Sequence, residues 1–89
     1  MHLLNFMDNL YKTWPSLRKN PLYITGESFA GHFIPAFART IIMNSSWVEK
    51  TGMKLAGVAI GDGFVDPVNQ LNSYGSLLYS AGIISNKFR

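Results

Sequence analysis

Hydrophobic residues along the chain alternate between helical and strand spacing. Apolar residues recur at helical intervals over residues 3–14, and Pro15 ends that helix because the residue before a proline avoids the helical region. Two short apolar runs, at residues 22–25 and 55–60, predict buried strands. The pattern therefore predicts a helix followed by two strands separated by about thirty residues, a length that suits a crossover connection.

A second helix is predicted between the two strands. It begins near Gly31 or His32, which leaves Pro35 in the first turn, where backbone N–H groups have no helical partner. Residues 44–46 are its predicted exit, and residues 51–52 form a turn before the next strand.

A third helix follows the second strand. Asp66 is its predicted N-cap with Pro67 at the first helical position, and Gly82 is its stop. Ser85 is a candidate cap for one more helix. The apolar side of the third helix comprises Val68, Leu71, Tyr74, Leu78 and Tyr79. Four aromatic residues at helical spacing are predicted to lie in the core, namely Tyr11, Trp14, Tyr74 and Tyr79.

Strands alternating with helices predict an α/β fold with parallel strands. A domain of this size has a small core and usually needs disulfides or a bound metal for stability. The chain of 89 residues is 47% hydrophobic and contains no cysteine, so no disulfide can supply that stability. Two strands alone would also leave both sheet edges open. We therefore expect residues 1–89 to be part of one larger domain, incomplete at both ends.

The charge pattern excludes several classes of function. The net charge of +3 comes from scattered residues, with Arg18-Lys19 as the longest basic run, so nucleic acid is not an expected partner.

No apolar stretch approaches the roughly 20 residues of a membrane span, and residues 1–4 do not resemble a secretory signal. No clustered metal ligands occur, so we expect neither a metal nor a cofactor. The oligomeric state stays open.

Residues 26–31, GESFAG, lie at the junction of the first strand and the second helix. This context fits a nucleophile elbow, in which Ser28 takes a strained conformation and Gly26 and Ala30 are pressed together. Ala30 departs from the Gly-x-Ser-x-Gly pattern by one methyl group. The Phe29 N–H is then the natural oxyanion donor. The alternative is a glycine-rich turn that contains an exposed serine without a catalytic role.

Two longer blocks carry a family resemblance. Residues 22–35, LYITGESFAGHFIP, resemble the active-site serine signature of the serine carboxypeptidases, and residues 55–67, LAGVAIGDGFVDP, resemble the strand and loop that follow it. The resemblance implies a doubly wound α/β-hydrolase sheet and a hydrolase that releases C-terminal residues from peptides through an acyl-enzyme on Ser28. Two departures are Phe29, where the family usually has tyrosine, and Asp62, where asparagine is common.

The resemblance also gives Glu27 a role in binding the substrate's C-terminal carboxylate. Two like charges would repel, so we expect a protonated Glu27 that donates a hydrogen bond, with best activity in acid. The alternative is an exposed glutamate attracted to a helix N-terminus.

The chain does not supply a complete triad. His2 precedes Ser28, and His32 lies behind the elbow on its own helix, where packing or hydrogen bonding is the expected role. Asp62 either lines the site or forms a turn, and Asp66 is better explained as a cap. By resemblance, the triad aspartate and histidine lie beyond Arg89, and a second oxyanion loop lies before Met1.

Asn44-Ser45-Ser46 is a candidate N-glycosylation acceptor, in keeping with the lysosomal, vacuolar or secreted setting that the resemblance implies.

Three hypotheses follow from these observations. The preferred one is an internal segment of a serine carboxypeptidase, active only in the full-length parent. The second is a related acyltransferase on the same scaffold. The third is a complete, non-catalytic binding module, which requires cooperative unfolding of the isolated chain. We expect instead a molten, aggregation-prone species.

Overall fold

The structure is a computed structural model that describes residues 2–89. Its elements follow the order α1 (His2–Thr13), β1 (Pro21–Glu27), α2 (Ala30–Met43), α3 (Ser45–Thr51), β2 (Lys54–Gly61) and α4 (Pro67–Ser80), with 3₁₀ helices at Pro15–Lys19 and Asn86–Phe88. The predicted succession of helix, strand, helix, strand and helix is confirmed. The short helix α3 was not predicted.

The two strands form a parallel sheet, as predicted. Leu22 of β1 pairs with Leu55 of β2. The next residue, Tyr23, pairs with Gly57, so Ala56 is an extra residue in β2. A Cβ added to Gly57 would lie 3.3 Å from the Tyr23 ring, and the glycine therefore gives that ring room on the sheet.

The core lies where α1, α2 and the start of β2 meet. Its buried residues are Met7, Tyr11, Phe37, Ile41 and Met53. Half-buried residues of both strands and of α3 pack against them. The helical spacing of Met7 and Tyr11 on α1, and of Phe37 and Ile41 on α2, places each pair on one face of its helix. The predicted burial of Tyr11 is confirmed.

The prediction that both strands are buried is wrong for one face of the sheet. Residues of β1 alternate between exposed and half-buried, and Tyr23 is 64% exposed. Helices among residues 2–89 cover the face that carries Leu22 and Ile24. A period-two strand places alternate side chains on opposite faces, so Tyr23 lies on the other face, where it remains exposed.

Three aromatic residues predicted for the core are exposed. Trp14 is 56% exposed, Tyr74 47% and Tyr79 41%. For Tyr74 and Tyr79 the reason is geometric, since α4 extends away from the core and contributes no buried residue. Trp14 lies between α1 and the Pro15–Lys19 helix and is not part of the core cluster. The radius of gyration is 18.8 Å, whereas a compact domain of this length has about 12 Å. Most of the apolar side of α4 is therefore exposed within residues 2–89.

Helix α2 starts earlier than predicted. It begins at Ala30, so Pro35 is its sixth residue and lies beyond the first turn. The predicted exit at residues 44–46 is also wrong in part. Asn44 alone separates α2 from α3, and its Nδ2 donates to the Thr40 carbonyl at 2.7 Å. A helix of seven residues is too short to show a periodic pattern, which is why the sequence did not reveal α3.

The predicted ends of α4 are confirmed. The Asp66 carboxylate accepts from the Asn69 N–H at 3.3 Å, and Pro67 is the first helical residue. Gly82 has φ 71°, and the Ile83 N–H donates to a carbonyl in the last turn of the helix at 2.9 Å. Ser85 precedes the short Asn86–Phe88 helix but makes no side-chain cap.

Membrane-spanning helices are not found in the described part of the chain, where each helix is too short or too polar to cross a bilayer.

Candidate active site

Ser28 lies between the end of β1 and the start of α2. Its φ is 58°, in the left-handed region that non-glycine residues rarely adopt. Such strained residues cluster at active sites, where the surrounding structure holds them in place. The strained conformation predicted from the GESFAG pattern is confirmed, and the Ser28 side chain is exposed.

Small residues allow the chain to reverse at this point. A Cβ added to Gly26 would lie 2.6 Å from the Ala30 Cβ and 3.0 Å from Ile34 Cδ1. A side chain at position 26 would therefore overlap α2, so glycine is required there. The predicted close approach of Gly26 and Ala30 is confirmed. Only one of the two positions has to be glycine, since the Ala30 methyl group fits against the bare Gly26 backbone.

Backbone hydrogen bonds hold Ser28 from both sides. Its N–H donates to the Gly61 carbonyl at 2.9 Å. Its carbonyl accepts from the Gly31 N–H at 3.0 Å and from the Phe64 N–H at 2.8 Å. Gly61 ends β2, and Phe64 lies in the loop that follows. The loop after β2 therefore fixes the backbone of the elbow.

A second glycine permits this contact. Gly31 is buried, and a Cβ added to it would lie 2.7 Å from the Phe64 nitrogen and 2.9 Å from the Phe64 carbonyl oxygen. Any side chain at position 31 would push the loop away from Ser28. Sequence reasoning missed the roles of Gly31 and Phe64. A glycine near the start of a helix was the available signal, because glycine is otherwise unfavourable in helices.

The Phe29 N–H is available to a ligand. Phe29 is the N-cap residue of α2, and its N–H makes no hydrogen bond to any of residues 2–89. Free N–H groups at a helix N-terminus favour negative charge. The exposed Ser28 hydroxyl and this free N–H belong to adjacent residues, which is an arrangement suited to nucleophilic attack with stabilisation of an oxyanion.

Aromatic rings lie beside Ser28. The Phe29 ring centroid is 4.8 Å from that of His32 and 5.1 Å from that of Phe33. His32 in turn lies 6.1 Å from Phe64. These four side chains form an aromatic cluster, and His32 takes part in it through ring packing, as predicted. Phe29 and Phe33 are more than half exposed, so the cluster presents an apolar surface next to Ser28.

Glu27 ends β1, and Asp62 directly follows the last residue of β2, so both lie next to the elbow. Glu27 is exposed and pairs with Gly61, and its Cγ lies 3.7 Å from where a Gly61 Cβ would be. Asp62 is exposed and has φ 43°. Aspartate and asparagine adopt this conformation more readily than most residues. Of the two roles considered for Asp62, the geometry favours the turn.

The remaining predicted polar residues lie apart from Ser28. Asp66 caps α4, and hydrogen bonds from Asn69 hold the pKa of its carboxyl below the usual range. Asn44 is exposed at the junction of α2 and α3. His2 and His32 make no hydrogen bond to Ser28 within residues 2–89. One cavity lies beside Tyr11 and the 3₁₀ helix Pro15–Lys19, and another lies between α2 and β2. Neither cavity borders Ser28.

The whole chain, residues 1–89, matches the family model described as serine carboxypeptidase. The protein belongs to the serine carboxypeptidase family. This family assignment confirms the resemblance found in the two sequence blocks. The observed parallel sheet with flanking helices confirms the α/β class.

Individual relatives agree with the family assignment. The chain is 45% identical over 83 residues to the vitellogenic carboxypeptidase of Aedes aegypti. The aligned region covers 93% of this chain and 17% of that protein. It is 42% identical over 82 residues to the "Probable serine carboxypeptidase CPVL" of Dictyostelium discoideum, covering 92% and 16%. It is 40% identical over 85 residues to the pheromone-processing carboxypeptidase KEX1 of Cryptococcus gattii, covering 96% and 12%.

The chain thus spans less than a fifth of the length of these relatives. No solved structure matches it at a significant level.

Proposed function

We propose that this chain supplies the nucleophile of a serine-type carboxypeptidase, and that the activity belongs to the full-length parent protein. The observation that carries the proposal is the left-handed, exposed Ser28 at the strand-to-helix junction of a family member. We further propose that β1 and β2 belong to a doubly wound α/β-hydrolase sheet. Their parallel pairing and the helices between them support this placement.

The proposed reaction starts with attack of the Ser28 Oγ on the last peptide carbonyl of the substrate. The resulting oxyanion is held by the Phe29 N–H, a type of donor that typically lowers the barrier by about 3–4 kcal/mol. The C–N bond then breaks, the C-terminal residue leaves with a proton, and an ester to Ser28 remains. Water hydrolyses this ester and regenerates the serine.

Selection of free C-termini is assigned to Glu27. It immediately precedes the nucleophile and is exposed at the end of β1, so its carboxyl group is accessible to a bound peptide. In protonated form it would donate a hydrogen bond to the terminal carboxylate of the substrate. Ionised Glu27 would repel that carboxylate, so we expect activity to decline as the pH rises.

A general base and the acid that orients it must come from other parts of the parent protein. Within residues 2–89, His2 lies on α1 and His32 packs among aromatic rings, and neither bonds to Ser28. An isolated oxyanion donor and an unactivated serine do not make a hydrolase. We therefore propose that this chain by itself has no peptidase activity.

The test uses the full-length parent protein. A fluorophosphonate reagent should label Ser28, and Ser28→Ala should abolish both labelling and release of C-terminal residues. Labelling at another residue, or undiminished activity of Ser28→Ala, would overturn the proposal. Ser28 labelling does not separate hydrolysis from acyl transfer. Comparing peptides with acyl-ester donors does, and a preference for acyl transfer would assign the protein to the acyltransferase relatives.

We also propose Asn44 as an N-glycan acceptor in a lysosomal, vacuolar or secreted parent protein. Its side chain is exposed, and its Nδ2 carries a second hydrogen besides the one donated to Thr40. Expression in a eukaryotic host followed by glycosidase treatment should shift the wild-type mass more than that of Asn44→Gln. Equal shifts would exclude this acceptor.

A further inference from the structure

Gln70 lies in the first turns of α4 and is the residue that connects this helix to the loop after β2. Its Oε1 accepts from the Val65 N–H at 2.9 Å and from the Asp66 N–H at 2.8 Å. Its Nε2 donates to the Gly63 carbonyl at 2.9 Å. The two accepted bonds and the donated bond fix the orientation of the amide, because only the oxygen accepts and only the nitrogen donates.

The three groups bound by Gln70 flank Phe64 on both sides. Gly63 precedes Phe64, and Val65 and Asp66 follow it. The Phe64 N–H, in turn, holds the Ser28 carbonyl at 2.8 Å. One side chain therefore sets the path of the segment whose backbone holds the nucleophile.

We propose that Gln70 is a positioning residue for Ser28, acting through Phe64 without touching the substrate. This inference rests on the proposed function of Ser28. The left-handed conformation of Ser28 is strained and persists only where surrounding contacts fix it. Loss of the Gln70 contacts frees the 63–66 segment, weakens the Phe64 hydrogen bond and lets the elbow relax.

Other groups do not replace Gln70 in this role. Asp66 and Asn69 bond to each other at the start of α4, and neither side chain bonds to Gly63 or Val65 within the described residues. The Gly63 carbonyl also accepts from the Val65 N–H at 3.1 Å, but that contact lies within the loop itself and does not join it to α4. Among residues 2–89, only the Gln70 side chain both donates a hydrogen bond to the 63–66 segment and accepts hydrogen bonds from it.

The experiment compares three variants of the full-length parent protein. Gln70→Ala removes all three side-chain bonds, and Gln70→Glu keeps the two accepted bonds while losing the donated one. Asn72→Ala is the matched control, because Asn72 is an exposed amide on the same helix and has no side-chain hydrogen bond within residues 2–89. The measurements are kcat and KM on a peptide substrate and amide hydrogen exchange of segments 26–31 and 61–66.

For Gln70→Ala we expect kcat to fall about 10- to 100-fold with little change in KM, since misplacement by about 1 Å costs on the order of 100-fold. Gln70→Glu should lie between Gln70→Ala and wild type, and Asn72→Ala should stay within about twofold of wild type. Exchange should accelerate in segment 26–31 of both Gln70 variants.

A Gln70→Ala protein with the kcat and elbow exchange of Asn72→Ala would overturn the inference. So would a variant that is only less stable, with unchanged kcat in its folded fraction. If Gln70→Ala does not fold, Gln70→Glu decides, and wild-type kcat and exchange in that variant would overturn the inference. A wild-type parent without peptidase activity or Ser28 labelling refutes the proposed function instead, and the exchange comparison still decides whether Gln70 holds the elbow.

Discussion

The Phe64 N–H donates a 2.8 Å hydrogen bond to the carbonyl of Ser28, which joins the loop after β2 to the strand-to-helix elbow at Ser28. The contact connects the two sequence blocks on which the family resemblance rests. The block at residues 22–35 contains Ser28, the proposed nucleophile, and the block at residues 55–67 holds its backbone. Changes in the second block are therefore expected to affect the chemistry of the first.

In the full-length parent protein, Gly31→Ala should disrupt the contact between Phe64 and Ser28. The added methyl group would lie 2.7 Å from the Phe64 nitrogen, and backbone cannot yield as a flexible side chain can. We expect a loss of about 1–3 kcal/mol in the free energy of unfolding and slower labelling of Ser28. Gly61→Ala is the control for stability, because its methyl group would have no neighbour closer than 3.7 Å. Equal stability of the two variants in chemical denaturation would contradict the prediction.

Glu27→Gln should change the pH dependence of the parent enzyme. An amide donates a hydrogen bond at every pH, so activity on peptides with a free C-terminus should persist at the neutral pH where wild-type activity has declined. Glu49→Gln makes the same change at an exposed position of α3 and should keep the wild-type profile. A wild-type profile and unchanged preference for free C-termini in Glu27→Gln would show that Glu27 does not bind the carboxylate.

Phe29→Tyr should alter substrate preference without impairing the nucleophile. The backbone N–H is retained and the ring is 52% exposed, so stability and the rate of Ser28 labelling should stay near wild type. The hydroxyl adds a polar group to the aromatic cluster, and preference for peptides with an apolar residue before the cleaved bond should fall by about 3- to 10-fold. Phe6→Tyr, an exposed position on α1, is the control. Identical preferences in the two variants would show that the Phe29 ring does not contact the residue before the cleaved bond.

Asp66→Asn should remove a pH-dependent contribution to α4. Hydrogen bonds from Asn69 lower the pKa of Asp66 in the folded state. The contribution is therefore present above the ordinary aspartate pKa of about 3.9 and is lost as the pH falls through the lower folded value. Hydrogen exchange in the first turn of α4 should reveal this loss in wild type and not in Asp66→Asn, since asparagine caps without titrating. Helix α2, which contains no acidic residue, is the internal reference.

Much of the elbow could be predicted from sequence because its constraints are local. Gly26, Ser28 and Ala30 are close along the chain, so the need for small residues on either side of a strained serine appears directly in the pattern. The caps of α4 are local for the same reason, and both Asp66 and Gly82 were predicted correctly. The α/β class followed from the alternation of strand and helix periods.

Only the tertiary structure decided which distant groups hold the elbow and which apolar residues are buried. The contacts of Phe64 with Ser28 and with Gly31 join residues far apart in the chain, and periodicity carries no information about such approaches. Helical spacing likewise predicted an apolar side for α1 and for α4. Packing against α2 buries Tyr11, whereas Tyr74 stays exposed, because a hydrophobic face is buried only where another element covers it.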